Sequence, residues 1–201
     1  MLKPNQKIYL VFKRIIDIFG SLLGIFVLSP IILLTLIITS CTSKGGPFFI
    51  QERLGRQKKL FHMIKFRSMK VGVKQVGQEE LTIEEQRAMT TPWGHFMRIT
   101  SIDEIPQLFN ILAGSMSFIG PRPGMITNGD GLVRARESFV PNAYEVKPGL
   151  SGYAQIHMKR DPDVIEKARE DSYYVQHMNF WFDASIFIYS FLFAFGVVKG
   201  R

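Results

Sequence analysis

Hydrophobic residues are unevenly distributed along the chain, with one long apolar stretch near the N-terminus and a shorter one near the C-terminus. From Ile18 to Ser43 no residue carries a charge, which makes a run of 26 residues. This run exceeds the ~20 residues that an α-helix needs to cross a bilayer. It is also longer than the ~7–15-residue apolar core of a signal peptide. The pattern predicts a retained membrane helix with a basic flank, over residues 1–44.

Two features favour a segment that enters the membrane and returns to the same face. Ser29 and Pro30 stand in the middle of the run, and a proline inside a helix removes a hydrogen bond and kinks or breaks the helix. The Ser29 hydroxyl is well placed to donate to the carbonyl that Pro30 leaves without a donor. Basic residues flank the run on both sides, and each basic flank prefers the cytoplasmic side. We therefore predict a re-entrant, helix-break-helix segment. The alternative is an ordinary kinked span that leaves the basic domain outside.

The C-terminal apolar stretch has a different length and predicts a different location. Residues from Ala184 to Val198 are apolar and aromatic, and Lys199 and Arg201 follow them. A stretch of about 15 residues is too short to span a bilayer comfortably. It predicts a helix over residues 180–198 that lies in the membrane interface or packs on the domain.

The middle of the chain combines strand and helix patterns. Phe48–Gln51 and Leu60–Phe66 alternate basic and apolar residues and predict two short strands joined by a turn around Gly55. Residues 71–78 predict a loop. Helical composition is found at 79–89, 92–97, 103–112 and 166–177. Gly120–Pro123 must form a rigid irregular turn, because prolines bracket Arg122. The pattern predicts a small mixed α/β domain over residues 45–201, with interfacial amphipathic helices.

Net charge restricts the partners but does not select one. The 201-residue chain carries a formal charge of +8, which suits nucleic acid, an anionic membrane surface or a phosphorylated substrate. There is no aromatic RNA-binding motif, zinc-finger spacing or Arg/Gly-rich tail, so we predict no nucleic-acid partner. Cys41 is the single cysteine. It cannot form an intramolecular disulfide, which fits a reducing compartment.

The strongest candidates for chemistry are the acid pair Asp103-Glu104 and the turn around Arg122. Adjacent carboxylates on a helix point about 100° apart, so they can do different jobs, one attacking or holding a metal while the other orients it. Mg²⁺ accepts one or two carboxylates together with substrate phosphates. An arginine held between prolines suits diphosphate recognition, because its guanidinium is planar and its backbone is restrained.

Simpler structural explanations exist for the same residues. Ser101 and Glu104 have the spacing of a capping box, with Ser101 at the N-cap and Glu104 reaching back from the third helical position. Arg53, Lys65 and Arg67 could form a basic surface that faces solvent or lipid headgroups.

Four segments, read together and in order, change this balance. They are KFRSM (65–69), RITSIDEIPQLFNIL (98–112), MSFIGPRP (116–123) and KPGLSGYAQ (147–155). Several independent motifs in one order are more specific than any short pattern alone. In these segments, and in the Ser-Pro pair of the N-terminal helix, the chain resembles the bacterial sugar transferase family. Its members are monotopic phosphoglycosyl transferases that initiate glycoconjugate assembly. The resemblance runs from about Phe12 to Asp183.

The resemblance implies a reaction and roles for particular residues. Asp103 and Glu104 would be catalytic and would hold Mg²⁺. Asp103 would attack the β-phosphate of a UDP-sugar and expel UMP. A polyprenyl phosphate would then take the phosphosugar from the aspartate in a ping-pong cycle. The expected site is at the cytoplasmic face of the bacterial inner membrane. The residues expected to bind substrate are Lys65, Arg98, Arg122, Arg53 and Gln155.

The chain departs from the family pattern at a few positions. Ser115 stands where the family usually has aspartate, so no metal role is assigned to it. Lys159 and Arg160 stand near a family arginine without an evident match. Because of these changes, the sequence does not identify the sugar. It also does not identify the pathway or the oligomeric state. The alternative function is a non-catalytic, membrane-anchored protein that binds anionic lipid or a partner through its basic face. A multi-pass transferase is disfavoured, because there is a single membrane segment.

Overall fold

The structure is a computed structural model that describes residues 2–73, 83–124, 129–158 and 163–194. Its α-helices are α1 (Pro4–Thr42), α2 (Ile83–Met89), α3 (Pro92–Ile99), α4 (Gln107–Ala113), α5 (Gly129–Glu137), α6 (Tyr153–His157), α7 (Val164–His177) and α8 (Phe180–Ala194). Its strands are β1 (Phe48–Leu54), β2 (Leu60–Phe66), β3 (Ser117–Ile119) and β4 (Gly149–Ser151). Most of the predicted 71–78 loop, the start of the predicted helix at 79, Lys159, Arg160 and the predicted C-terminal helix beyond residue 194 lie outside the described residues.

The strands form two small sheets. β1 and β2 make the predicted antiparallel hairpin, in which Phe49 pairs with Lys65 and Arg53 pairs with Phe61. Its turn closes with a bond from the Gly55 amide to the Lys59 carbonyl (2.9 Å). β1 runs three residues further than predicted, to Leu54. β3 and β4 pair in parallel. The mixed α/β class is confirmed.

Helix α1 continues through Pro30 as one element of 39 residues. The Ser29 hydroxyl donates to the Phe26 carbonyl at 2.8 Å, and Phe26 is the residue whose helical donor Pro30 removes. The expected hydrogen bond from Ser29 is therefore confirmed. The expected break is corrected: within α1 the proline is accommodated by a substitute hydrogen bond, and the helix does not end there. By length and composition α1 is able to cross a membrane.

Both ends of α1 contact the same domain. Near its start, Gln6 donates its side-chain amide to the Val175 carbonyl at the end of α7 (2.8 Å). Near its end, Thr39 accepts a hydrogen bond from the Trp93 indole of α3 (3.2 Å). Between them, Arg14 donates to the Ile111 and Leu112 carbonyls at the end of α4 (2.6 and 2.7 Å). The helix thus lies along the domain.

The polarity of α1 is the reverse of that of a helix on a water-soluble protein. Its buried, domain-facing residues are polar, namely Gln6, Lys13, Asp17, Ser21, Thr35 and Thr39. Between Ile8 and Ile37 its exposed residues are apolar, including Val11, Phe12, Ile15, Phe19, Leu23, Phe26 and Leu33. A surface helix in water carries its polar residues outward. The outward face of α1 therefore suits contact with hydrocarbon, where polar groups must find partners inside the protein.

The core consists of two apolar clusters. One joins Ile119 to Val175 of α7, to Met178 in the link that follows α7, and to Ile186 of α8. The other contains Met63, Leu108, Ile111 and Met116, and it is completed by Ile25 and Leu28 of α1. α1 approaches closely because its facing positions are glycines: a Cβ on Gly20 would lie 2.8 Å from the Phe118 ring. α1 is thus part of the core.

Candidate active site

The acid pair lies in a short 3₁₀ turn, Ile102–Glu104, between α3 and α4. Ser101 precedes the turn with a positive φ of 57° and makes no capping bond with its side chain. Glu104 directs its side chain towards two cations, away from the turn. The capping-box interpretation is therefore wrong. The continuous helix predicted from Asp103 is also wrong, since α4 begins only after Pro106.

Glu104 is held by two cations that come from different parts of the chain. Its Oε1 accepts from Lys65 Nζ of β2 (2.6 Å) and from Arg122 Nη2 of the Gly120–Pro123 turn (2.9 Å). Burial alone would raise the pKa of Glu104, but Arg122 and Lys65 outweigh it and hold that pKa well below its usual range. Glu104 therefore stays ionised, and it joins the hairpin to the turn.

Asp103 has a different environment, although it is the next residue. Its carboxylate is buried, with 8% of the residue exposed. Within the described part of the chain, no group donates a hydrogen bond to it. Burial raises the pKa of Asp103 to about 6, and the neighbouring Glu104 charge adds to the rise, while Lys65, Arg98 and Arg122 oppose it. Asp103 is a poorly solvated, unpaired carboxylate that is mostly ionised at neutral pH.

Arg53 stands behind the turn that carries Arg122. It donates to the Pro123 carbonyl (3.3 Å) and to the Gln51 side chain (2.6 Å). Burial, together with the like charge of Arg122, lowers the pKa of Arg53 to about 10. Arg53 and Lys65 thus lie partly buried beside Arg122 and Glu104. Their role in substrate binding stays a prediction. Arg67 instead donates to the Gly46 and Phe48 carbonyls (3.0 and 2.8 Å).

Two further predicted site residues have weaker links to the pair. Arg98 is the basic residue in the last turn of α3, and its charge acts on Asp103. Gln155 is exposed on α6, and the described contacts of Glu104 do not include it. The structure thus brings Arg53, Lys65 and Arg122 together around the acid pair, with Arg98 close enough to lower the pKa of Asp103. The prediction that Gln155 binds substrate is untested.

The turn from Gly120 to Pro123 is fixed at its start by the second sheet. The Gly120 amide donates to the Ser151 carbonyl (2.9 Å), and the Gly149 amide donates to the Pro121 carbonyl (3.0 Å). A Cβ on Gly120 would lie 2.5 Å from the Lys147 carbonyl, so only glycine allows this approach. The predicted rigid turn is confirmed, and it places Arg122 opposite Glu104.

A second buried ion pair supports the turn, and the sequence interpretation missed it. Arg136 of α5 and Asp171 of α7 are each 2% exposed. Arg136 donates through Nε and Nη2 to Asp171 Oδ2 (2.9 and 2.6 Å) and through Nη2 to the Arg122 carbonyl (2.9 Å). In the sequence Arg136 is one of two arginines in a polar helix, and its partner is 35 residues away.

The residues around Asp103 suit a hard divalent cation, but they do not form a complete cage. The described ranges contain no group of three or more His, Cys, Asp or Glu residues that would hold a metal. Asp103 offers carboxylate oxygens without a described hydrogen-bond donor, and Glu104 is ionised beside it. Mg²⁺ commonly binds one or two carboxylates and completes its shell with substrate phosphates and water. The donor set fits that mode.

Fold and site are those of an α/β domain built onto an apolar helix, with an unequal carboxylate pair set among arginines and a lysine. The chain belongs to the bacterial sugar transferase family, and residues 8–196 match that family. This confirms the resemblance seen in the four sequence motifs.

Several named relatives show what the chain is similar to. It is 36% identical over 188 residues to a UDP-glucose:undecaprenyl-phosphate glucose-1-phosphate transferase of Klebsiella pneumoniae, covering 91% of this chain and 40% of the relative. It is 35% identical over 182 residues to a UDP-N-acetylgalactosamine-undecaprenyl-phosphate N-acetylgalactosaminephosphotransferase of Aeromonas hydrophila, covering 89% and 42%. The chain thus spans about two fifths of these relatives. An exopolysaccharide production protein, PSS, of Rhizobium leguminosarum bv. phaseoli is 36% identical, with 88% and 92% covered.

Proposed function

We propose that this protein is a phosphoglycosyl transferase that moves a sugar 1-phosphate from a UDP-sugar to a polyprenyl phosphate, such as undecaprenyl phosphate, and releases UMP. The observation that carries the proposal is that the two adjacent acids, Asp103 and Glu104, have different environments. Asp103 is buried, without a described hydrogen-bond donor and with a pKa of about 6, while Glu104 is fixed by Lys65 and Arg122. Family membership and the names of the relatives support the substrate classes.

In the first half-reaction Asp103 acts as the nucleophile. A carboxylate oxygen attacks the β-phosphorus of the UDP-sugar, an Asp–phosphorus bond forms, and the bond to the bridging oxygen breaks. UMP leaves with that electron pair, and the sugar phosphate remains on Asp103. Because the carboxylate is poorly solvated, little water has to be displaced before it attacks.

The cations around the pair stabilise the charge that this step develops. Arg122 offers a planar, bidentate fork to phosphate oxygens, and Arg98 adds positive charge on the side of α3. Lys65 and Glu104 keep the fork of Arg122 in place. Mg²⁺ bound by Asp103 and Glu104 would neutralise charge on the diphosphate and on the departing UMP.

The second half-reaction regenerates the enzyme. A phosphate oxygen of the polyprenyl phosphate attacks the same phosphorus, a new diphosphate bond forms, and the Asp103 carboxylate leaves. Donor and acceptor thus react in separate steps, which defines a ping-pong cycle. The alternative function is that of a basic membrane-anchored binding protein. It does not explain why Asp103 is buried and ionised without a described hydrogen-bond donor.

The lipid acceptor requires a site at the membrane surface, and the contacts of α1 support such a placement. Both ends of α1 are fastened to one domain through Gln6 and Thr39. A helix that crossed the bilayer would carry one of these ends to the opposite face. We therefore propose a re-entrant, monotopic arrangement in which α1 bends at Pro30 without ending there. The domain and both helix ends then lie at the cytoplasmic face, with α8 in the interface.

The test is release of UMP from a panel of UDP-sugars by the full chain in detergent or nanodiscs, with polyprenyl phosphate and Mg²⁺. Sustained UMP release is expected with one or a few sugars. Without acceptor, we expect one equivalent of UMP and a mass increase of one phosphosugar on the peptide that contains Asp103. Anionic-lipid binding with no UMP release from any donor would favour the binding protein.

A further inference from the structure

We propose that Arg136 is a positioning residue that, paired with Asp171, fixes the backbone of Arg122 so that its side chain faces the acid pair. The inference rests on the proposed function, because it assigns Arg136 to the donor half-reaction. Arg136 has no described contact with Asp103 or Glu104, and it would act through Arg122.

The contacts form a continuous path from α7 to Glu104. Asp171 on α7 accepts two bonds from the Arg136 guanidinium, and the same guanidinium donates to the Arg122 carbonyl. Arg122 then donates through Nη2 to Glu104 (2.9 Å). A single buried nitrogen, Arg136 Nη2, thus serves both the ion pair and the turn. The Tyr144 ring lies 5.7 Å from the guanidinium carbon and limits its movement.

The turn needs such an anchor at Arg122. The second sheet fixes the turn at Gly120 and Pro121. The prolines fix their own φ angles, and Pro123 restricts Arg122 to extended conformations. The peptide group that follows Arg122 has no N–H, because Pro123 supplies its nitrogen. The Arg122 carbonyl is therefore the one hydrogen-bonding group of that peptide, and Arg136 holds it, while Arg53 holds the Pro123 carbonyl one residue further on.

The burial of the pair argues that its arrangement is specific. Two charges at 2% exposure lose their hydration, and pairing two charges inside a protein often gives no net stability. Apolar residues of similar size could fill the same space. They could not donate to the Arg122 carbonyl, however, and arginine's planar fork reaches both acceptors at once. Lysine has one nitrogen and no such geometry.

The decisive variant is Arg136→Lys. It retains the charge that Asp171 needs but cannot serve Asp171 and the Arg122 carbonyl in the same geometry. Per folded molecule, kcat/KM for the UDP-sugar should fall on the order of 10-fold. In ping-pong kinetics kcat/KM for each substrate reports its own half-reaction, so the value for polyprenyl phosphate should change less. Asp171→Asn retains an acceptor for Arg136. It should also lower kcat/KM for the UDP-sugar more than kcat/KM for polyprenyl phosphate, but by a smaller factor than Arg136→Lys.

The matched control is Ser172→Ala. Ser172 adjoins Asp171 on α7, is 1% exposed, and donates to the Pro141 carbonyl (2.7 Å). Its loss removes a buried hydrogen bond without touching Arg122. Ser172→Ala should lower the melting temperature but leave kcat/KM for the UDP-sugar unchanged per folded molecule.

Two results separate failure of this inference from failure of the proposed function. If the wild-type chain releases no UMP, the proposed function fails. If the wild-type chain is active and both Arg136→Lys and Asp171→Asn match Ser172→Ala in kcat/KM for the UDP-sugar, the pair has a structural role alone and the inference is overturned. Equal losses for donor and acceptor would overturn it as well. Should Arg136→Lys fail to fold, Asp171→Asn carries the test.

Discussion

Asp103 and Glu104 are adjacent in the sequence, yet among the described residues only Glu104 has cations hydrogen-bonded to its carboxylate. Lys65 and Arg122 both bind Glu104 Oε1, whereas burial dominates the environment of Asp103 and raises its pKa to about 6. The positive charge of the site is thus used to fix one acid, while the other remains available for bond formation. Each prediction below depends on this difference.

Asp103→Asn should abolish UMP release and, at neutral pH, stabilise the fold. The substitution removes the proposed nucleophile together with a buried charge. A pKa raised from 3.8 to about 6 corresponds to a cost of up to about 3 kcal/mol for the ionised group at neutral pH. Thermal unfolding at pH 7.5 and a UMP assay measure the two effects. Substantial turnover by Asp103→Asn would end the catalytic assignment.

Glu104→Gln should lose activity and also stability. The amide cannot balance Lys65 and Arg122, which would then face each other partly buried and repel. We expect a loss of about 1.5–3 kcal/mol in the free energy of unfolding, the range for a hydrogen bond to a charged group. Urea unfolding measures the free energy of unfolding of Glu104→Gln and of Asp103→Asn, and the two changes are compared. Equal shifts in the same direction would contradict the unequal roles of the two acids.

The acid limb of the pH profile should report Asp103. Only the ionised carboxylate attacks, so kcat/KM for the UDP-sugar should fall as pH drops through about 6. Because the folded pKa is raised, ionised Asp103 destabilises the fold above that pH, and the lost stability returns between about 6 and 3.8. Arg98 lowers this pKa, so Arg98→Gln should move the acid limb upwards. An acid limb that Arg98→Gln leaves in place would assign the titration to another group.

Arg122→Lys should reduce activity on the order of 10-fold or more, although it keeps the charge. Lysine loses the planar fork, and one charge-assisted contact contributes about 1.5–3 kcal/mol. The initial rate of UMP release at subsaturating UDP-sugar is the measurement. Lys58→Arg is a control, since Lys58 pairs with Glu137 at an exposed position and should tolerate the change. Wild-type rates in Arg122→Lys would reduce Arg122 to a general positive charge.

The re-entrant arrangement predicts that residues 3 and 58 both face the cytoplasm. Single cysteines at these positions, in a Cys41→Ser background, should resist a membrane-impermeant maleimide in intact cells and react after permeabilisation. Cys41 must be replaced because it is exposed and would react itself. Labelling of residue 3 alone in intact cells would show that α1 spans the membrane.

The sequence predicted local elements well where periodicity and turn residues agree. The hairpin, the rigid turn at Gly120–Pro123 and helix α7 follow from local patterns, and the structure confirms them. At Pro30 the local rule alone was insufficient, because the Ser29 hydroxyl compensates for the missing amide. At Ser101 a helix-capping pattern occurs, but the positive φ and the two cations on Glu104 prevent the cap.

Long-range pairings were beyond sequence reasoning. Nothing local distinguishes Arg136 from Arg134, which is two residues away in the same helix. Only the packing of α5 on α7 brings Arg136 to Asp171. In the sequence, Lys13 and Arg14 stand among the basic residues just before the uncharged run. In the fold, Lys13 pairs with Asp183 of α8 and Arg14 binds the carbonyl end of α4, so both fasten α1 to the domain.

The reversed polarity of α1 determines how this protein can be made soluble. Deleting the helix would remove Ile25 and Leu28 from an apolar cluster and leave Ser117 and the Phe118 amide without Asp17, their hydrogen-bond partner. A truncated chain should therefore aggregate, and the helix cannot be exchanged for an unrelated anchor. A soluble form calls for the opposite approach. The outward positions, such as Phe19, Leu23 and Phe26, are changed to polar residues while every inward-facing position is kept.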